Sequence, residues 1–171
     1  MTTNYKLDAV YELRKFLWDQ LYNETSIFNA DDYYSDNVGD IVVPIIPIQQ
    51  APELNQFLSG KKHIVYDKIG ITYDDIWLIC NEQILFTIYA TDVHEIYEIR
   101  NLMTDLFRRM DATASDVNKW AGLSSKFKFH SIYISDMSPI APSEELQGFF
   151  AADVILEAKY SRQTDTSGRY A

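Results

Sequence analysis

The chain has 171 residues, of which 47% are hydrophobic and 23% charged, a composition typical of one globular domain with a sizeable core. Its formal net charge of −10 argues against tight wrapping of nucleic acid, which requires clustered lysine and arginine, although DNA could slide through an acidic channel without binding. The single cysteine, Cys80, excludes a fold built on internal disulfides, and we interpret it as a small core residue.

The first residues lack the charged-then-apolar layout of a signal peptide. No apolar run in the sequence is long enough to span a bilayer. We therefore expect a protein of cytosol-like compartments with no membrane association.

Residues 7–22 carry apolar side chains at helical spacing on one face, which predicts a first helix with Thr3 or Asn4 as its N-cap. The segment at residues 31–37 has no period and is rich in turn formers, so we interpret it as a loop insertion.

An extended segment follows at residues 41–48. Its two prolines prevent helix formation and remove two backbone donors, which predicts an edge strand or a clamped extended segment. Residues 51–62 read as a connecting loop. Residues 63–67 and 76–89 then form a predicted antiparallel pair.

The strand at residues 76–89 leads almost directly into the clearest predicted helix. Asp92 and Glu95 have the spacing of a capping box, with Thr91 as a rival cap, so the junction supplies a helix cap and no phosphate-binding loop. A short helical continuation is predicted before Gly122. The buried stripe of the main helix consists of Val93, Ile96, Tyr97, Met103, Leu106, Phe107 and Met110.

The C-terminal part is predicted to contain two strands separated by a long excursion. Alternation over residues 127–133 places Phe127, Phe129, Ser131 and Tyr133 together on one face. Residues 137–150 hold two prolines and form the irregular excursion. The last strand, residues 154–160, has an apolar face opposite a charged one.

This order of elements predicts an α+β domain over residues 1–160, with a mostly antiparallel sheet. The N-terminal helix and the long central helix are expected on one face of that sheet. Residues 31–37 and 137–150 are loop insertions in this domain, and residues 161–171 form a polar tail.

Glu157 and Lys159 on the last strand are the strongest candidate catalytic pair. Many metal-dependent nucleases carry an acid and a lysine at this spacing, where the acid binds a divalent cation, and a second acid such as Asp136 or Asp153 is then needed. A solvent-facing strand with alternating charges has the same residue pattern without any catalytic role, and we favour that interpretation.

The remaining candidate chemistry is weaker. The three histidines, His63, His94 and His130, lie far apart, and none has a histidine or cysteine at ligand spacing. No phosphate-binding glycine loop is present in the sequence. An acidic group lacks the glycine and closing glutamate of an EF-hand, so we expect a solvated loop, no metal and no cofactor. That group consists of Asp31, Asp32, Asp36, Asp74 and Asp75.

The order of elements and four stretches resemble virion joining proteins of tailed bacteriophages, chiefly tail terminator proteins. The stretches are YELRKFLW at residues 11–18, VPIIP at 43–47, MTDLFRRM at 103–110 and VILEAKY at 154–160. The middle stretches are most similar to those of myoviruses that infect cyanobacteria.

This resemblance implies a structural virion protein with an α+β fold and no catalytic residues. It implies a homo-hexameric ring that caps the tail tube, meets the tail sheath and docks to the head connector, with DNA passing through unbound. Localisation would be the virion neck, after assembly in the host cytoplasm. Two alternatives stay open: another neck role, such as head closure or tail completion, and a metal-dependent nuclease.

Two hypotheses about surfaces accompany the resemblance. A closed ring needs two different, complementary surfaces on each subunit. We expect the excursion at residues 137–150 to reach a neighbouring subunit, with Phe149 and Phe150 as anchors and Glu144 and Glu145 at the rim. We also expect two acidic residues to face the lumen and repel passing DNA, namely Asp31 and Asp32.

Overall fold

The computed structural model describes residues 8–73, 79–123 and 127–162. In this part of the chain the strands are β1 (Tyr34–Ser35), β2 (Asp40–Ile41), β3 (Ile45–Pro47), β4 (His63–Tyr73), β5 (Ile79–Ala90), β6 (Phe127–Met137), β7 (Ala141–Pro142) and β8 (Phe150–Arg162). The α-helices are α1 (Ala9–Asp19), α2 (Ala51–Leu54), α3 (Val93–Phe107) and α4 (Asp111–Ala121).

Six of the strands form one sheet with helices packed against it, so the predicted α+β class is confirmed. The strand order is β3-β4-β5-β8-β6, and β7 also pairs with β8. Strands β3 and β4 run parallel, whereas the other pairs are antiparallel. The predicted pairing of residues 63–67 with the strand before α3 is therefore confirmed.

The first helix begins at Ala9 and continues as a π-helix over Gln20–Glu24. Its N-cap is Asp8, whose carboxylate accepts a hydrogen bond from the backbone N–H of Val10 at 3.0 Å. The caps predicted from the sequence, Thr3 and Asn4, lie outside the described residues.

Two segments interpreted as loops contain short regular structure. Residues 31–37 overlap a 3₁₀-helix, Ala30–Tyr33, and the two-stranded hairpin of β1 and β2. The hydroxyl of Tyr33 donates to the carbonyl of Lys62 at 2.5 Å, which anchors this insertion to the chain just before β4. The connection predicted at residues 51–62 begins with the short helix α2.

The central helix begins where predicted but ends at Phe107, so Met110 of the predicted buried stripe lies beyond it. Tyr97 and Met110 are exposed, which corrects their predicted burial. Asp92 is the N-cap of α3, and its carboxylate accepts from the backbone N–H of His94 at 2.9 Å. The predicted continuation is a full helix, α4, which ends at Gly122 in the left-handed conformation with φ +64°. Between the two helices, Met110 adopts φ +46°, a strained conformation for a residue with a side chain.

Strand β6 departs from the predicted alternation. Phe127 and Phe129 are buried in the core, but the next buried residue of the strand is Ile132, because the register shifts between Phe129 and Ser131. This β-bulge adds a residue and reverses which side chains face inward. The carboxamide of Asn118 on α4 bonds both the N–H and the carbonyl of Phe129 at 2.8 Å, which fixes the start of the strand.

Strands β5 and β8 separate the two faces of the sheet clearly. On one face, Ile84, Phe86 and Ile88 of β5 are fully buried, as are Val154 and Leu156 of β8, and this face packs under the helices. The predicted apolar face of the last strand is confirmed by this burial. On the opposite face, which we call the outer face, the same strands carry partly exposed and polar residues.

Candidate functional site

The outer face of the sheet forms the floor of a cleft. Its floor residues follow from the strand register. His63, Tyr89 and Ala151 lie side by side across β4, β5 and β8. Val65, Thr87 and Asp153 form the next row, and Asp67, Leu85 and Ile155 form the row after that. An alternating strand pattern therefore places apolar and polar side chains together on one accessible surface.

Two connecting segments form the walls of the cleft. One wall comes from the chain that follows β3, including Ile48, Pro52 and Asn55. The other comes from the excursion after β6, including Pro139 and Leu146. The enclosed volume is about 750 Å³, within the range of ligand-binding clefts.

The excursion folds back over its own sheet. Ser138 donates its backbone N–H to the carbonyl of Asp153 at 2.9 Å, and its hydroxyl accepts from the N–H of Asp153 at 2.8 Å. Arg100 of α3 donates to the Ser138 carbonyl at 3.1 Å. At the far end, the Tyr89 hydroxyl donates to the Glu145 carboxylate at 3.2 Å. These bonds hold the wall beside the floor.

The cleft is acidic. Its lining includes Asp67, Glu144, Glu145 and Asp153, and no lysine or arginine belongs to the lining among the described residues. None of the four carboxylates forms an ion pair within the described part of the chain. Thr87 donates its hydroxyl to Asp153 at 2.8 Å, which orients that carboxylate without neutralising it.

The acidic lining of the cleft affects the pKa of the Tyr89 phenol. Burial, together with the nearby charges of Glu145 and Asp153, raises the pKa of Tyr89 to about 12. Tyr89 therefore remains a neutral hydrogen-bond donor at physiological pH.

His63 forms the buried end of the floor. Its Nδ1 lies 2.8 Å from the carbonyl oxygen of Lys61, which can only accept, so Nδ1 carries the proton. The ring stacks on Tyr89 at 5.2 Å and meets Phe149 edge-on at 5.7 Å. Burial lowers the pKa of His63, so the imidazole is neutral at physiological pH.

Two of the four predicted interface residues line this cleft, namely Glu144 and Glu145, whereas Phe149 and Phe150 do not. Glu144 and Glu145 are exposed at its wall. Phe149 is buried, 9% exposed, against His63 and Tyr89 of its own chain, and Phe150 opens β8 as a half-buried residue. The subunit-interface role of these four residues stays a prediction; within the chain, Phe149 already fastens the excursion to the sheet.

The other predicted site residues lie apart from the cleft floor. Asp31 and Asp32 are exposed on the 3₁₀-helix before β1, and their lumen-facing role stays a prediction. Glu157 and Lys159 project from the outer face of β8, beyond the third row. Among the described residues no group of three or more histidine, cysteine, aspartate or glutamate side chains is placed to hold a metal ion. Two members of the predicted acidic group, Asp74 and Asp75, lie outside the described residues.

The sequence interpretation passed over the floor residues Asp67, Thr87 and Tyr89. A signal exists for Thr87 and Tyr89, which are polar residues between fully buried neighbours in β5, a pattern that indicates a second face of the strand. Asp67 lies between half-buried Tyr66 and exposed Lys68, so it has no such signal. Their convergence with the excursion depends on pairing between distant strands, which the alternation does not specify.

Comparison of the sequence with protein-family models and with curated proteins finds no match. Within the described residues, none of the helices has the length and apolar character needed to cross a bilayer.

Proposed function

We propose that the chain is a structural joining protein that assembles head to tail into a closed ring, in the manner of a phage tail terminator. The ring would cap the tail tube, meet the tail sheath and dock to the head connector. The basis is the resemblance of the four sequence stretches together with one structural observation, the exposed apolar side chains at both edges of the sheet.

At one edge, β4 continues beyond its partner β3. In the described part of the chain, β3 pairs with only three residues of β4, namely Ile64, Val65 and Tyr66. The later residues of β4 therefore have no strand on that side. Ile69 and Ile71 lie there and are 45% and 46% exposed. An exposed apolar edge strand is a surface on which another chain can pack.

At the opposite edge, strand β6 is flanked by two exposed methionines. Met137 ends β6 and is 44% exposed, and Met110 is 48% exposed. The carbonyl of Met110 accepts from the N–H of Ile132, so the connection between α3 and α4 lies along this edge. Methionine side chains adapt to varied partners, which suits an assembly surface.

Two different apolar surfaces on opposite edges are what a heterologous contact requires, because each subunit offers one surface to each neighbour. A two-fold dimer would need one self-complementary surface instead. The net charge of −10 agrees with a ring through which DNA passes without binding. The same two surfaces would also serve head closure or tail completion, the alternative neck roles.

Mass photometry of the purified chain tests the proposal. Six copies of the 19.8 kDa chain give a ring of about 119 kDa. We expect either Ile71→Asp or Met110→Asp to abolish the ring, since each removes one of the two surfaces. Mixing the two variants should give dimers of about 40 kDa, two copies of 19.8 kDa, because one intact contact remains between them.

The control is Val38→Asp, which places the same charge at another exposed apolar position, 66% exposed in the turn between β1 and β2. Rings of this variant should be intact. A chain that stays monomeric alone and with tail tubes would refute the proposal, as would Mg²⁺-dependent DNA cleavage that is lost in Glu157→Ala. Addition of rings to tubes or to head connectors separates the neck roles.

A further inference from the structure

We propose that the acidic cleft on the outer face binds an extended, lysine- or arginine-bearing segment of a partner protein. This inference deepens the proposed joining function by naming the chemistry of the partner, and it rests on that function for the kind of partner involved. The argument depends on the charges, the spacing and the shape of the cleft.

The charges of the cleft are uncompensated. Asp67, Glu144, Glu145 and Asp153 line one surface, with no lysine or arginine in the lining and no ion pair to any of the four among the described residues. Carboxylates along one surface give it a negative potential, which attracts a cationic partner. The chain supplies no such cation from its described residues, so the complementary charge is expected from outside.

The spacing of Asp67 and Asp153 is too wide for both to bind one metal ion, and it matches an extended chain. Asp67 and Asp153 lie two strands and one row apart, which places their Cα atoms roughly 12 Å from each other. No set of described residues is placed to chelate one ion. In an extended peptide, side chains four residues apart are separated by about 13 Å. Two basic residues at that spacing match the two aspartates.

The shape of the cleft suits a polypeptide. Its floor is the outer face of three neighbouring strands, and apolar contacts are available from Val65, Leu85 and Leu146. The walls stand on both sides of this floor, and Pro52 and Pro139 belong to them. A segment lying between the walls would bury apolar contacts along its length and place its basic groups on the carboxylates.

Fluorescence anisotropy with the full chain tests the proposal. The probe is a labelled peptide of sequence Lys-Thr-Val-Thr-Lys, and the matched probe has glutamine in place of both lysines. We expect the lysine peptide to bind at least tenfold more tightly at 50 mM salt, with an affinity that falls as salt rises. The double variant Asp67→Asn/Asp153→Asn should weaken its binding at least tenfold.

The matched control is Glu98→Gln/Asp116→Asn, which removes two exposed charges from α3 and α4 and leaves the cleft unchanged. Its binding of the lysine peptide should remain within twofold of the unaltered chain. Equal loss in both double variants would overturn the proposal, because net charge alone would then explain binding. Equal binding of the glutamine peptide would overturn it as well.

Two other occupants are separated by further measurements. If spermidine binds as tightly as the lysine peptide, the cleft is a polyamine site and the partner-protein proposal fails. If Asp67→Asn/Asp153→Asn breaks the ring in mass photometry, the occupant is a second copy of the chain and the proposal also fails. Ring formation without peptide binding refutes this inference alone, whereas peptide binding without a ring refutes only the proposed assembly.

Discussion

Both faces of β5 and β8 carry apolar side chains, but the chain's own helices cover only one of them. On the helix-covered face, Ile84, Phe86 and Leu156 are fully buried. On the outer face, their sequence neighbours Leu85 and Ile155 are half-buried and lie in the open third row. The comparison separates a face that supplies folding stability from an accessible face, which is the one on which we propose that a partner binds.

The largest expected effect comes from adjacent residues on the two faces. Phe86→Ala removes a fully buried ring and should lower the free energy of unfolding by about 4 kcal/mol. Leu85→Ala should lower it by about 1 kcal/mol, because that side chain is only half-buried on the outer face. Urea denaturation measures both values, and equal losses would contradict the division between the faces.

The next effect concerns the excursion. Phe149→Ala removes the ring that packs against His63 and Tyr89 and should cost about 3 kcal/mol in the monomeric state. The matched variant Phe150→Ala should cost about 1 kcal/mol, because Phe150 is half-buried. The excursion of the Phe149 variant should also be cleaved faster after Glu144 or Glu145 by a glutamate-specific protease, which detects a loosened wall.

A Phe149 variant with unchanged monomer stability but impaired rings would favour the alternative role of this residue. In that case the side chain would leave its own sheet and act as an anchor on the neighbouring subunit. Comparison of urea midpoints with ring mass for the same variant separates these two roles.

Much of the helix-covered face could be predicted from the sequence. The capping residue Asp92, the burial of Cys80 and the two faces of the last strand follow from local spacing, and the structure agrees. Local spacing succeeds there because a helix and a two-sided strand each repeat over a few residues. It failed at β6, where the bulge at Phe129 to Ser131 reverses the alternation.

The cleft could not be predicted in the same way. It depends on β8 lying between β5 and β6, and on the excursion folding back until Glu145 reaches Tyr89. These contacts join residues 56 positions apart, which no local period encodes. The sequence indicated that residues 137–150 were irregular, but it gave no direction for their path.

The two faces should also differ in their response to pH. Glu82 lies on the helix-covered face, where burial raises the pKa of its carboxyl above the ordinary value of 4.5 and Tyr160 donates to it at 3.0 Å. The unfolded chain loses this proton first, so stability falls as pH rises from 4.5 through the folded pKa. Glu82→Gln should remove this fall, seen as a smaller difference between urea midpoints at pH 4.5 and 7.5. An unchanged difference would contradict the burial of an ionisable group there.

On the outer face, His63 should have the opposite dependence. Burial lowers its pKa below the ordinary value of 6.5, so the unfolded chain binds the proton first as pH falls. Stability is therefore lost as pH falls from 6.5 through the folded pKa. His63→Asn keeps a donor for the Lys61 carbonyl and should abolish this loss between pH 7.5 and 5.0. The same loss in the variant would assign the effect to other groups.

The smallest expected effect lies at the edge beside β6. Met110 has φ +46°, which glycine adopts without strain. Glycine also makes the unfolded chain more flexible, which offsets part of the relieved strain. Met110→Gly should therefore raise the free energy of unfolding by about 0.5 kcal/mol. The same change removes an exposed apolar side chain from the proposed ring contact, so rings should dissociate at a higher protein concentration. A structural role alone predicts the gain in stability without any change in assembly.

Urea denaturation and mass photometry on one preparation therefore test whether the strained residue is kept for contact with a neighbour. A variant that is both less stable and fully assembled would contradict that account, because neither strain relief nor a lost contact could then be assigned to Met110.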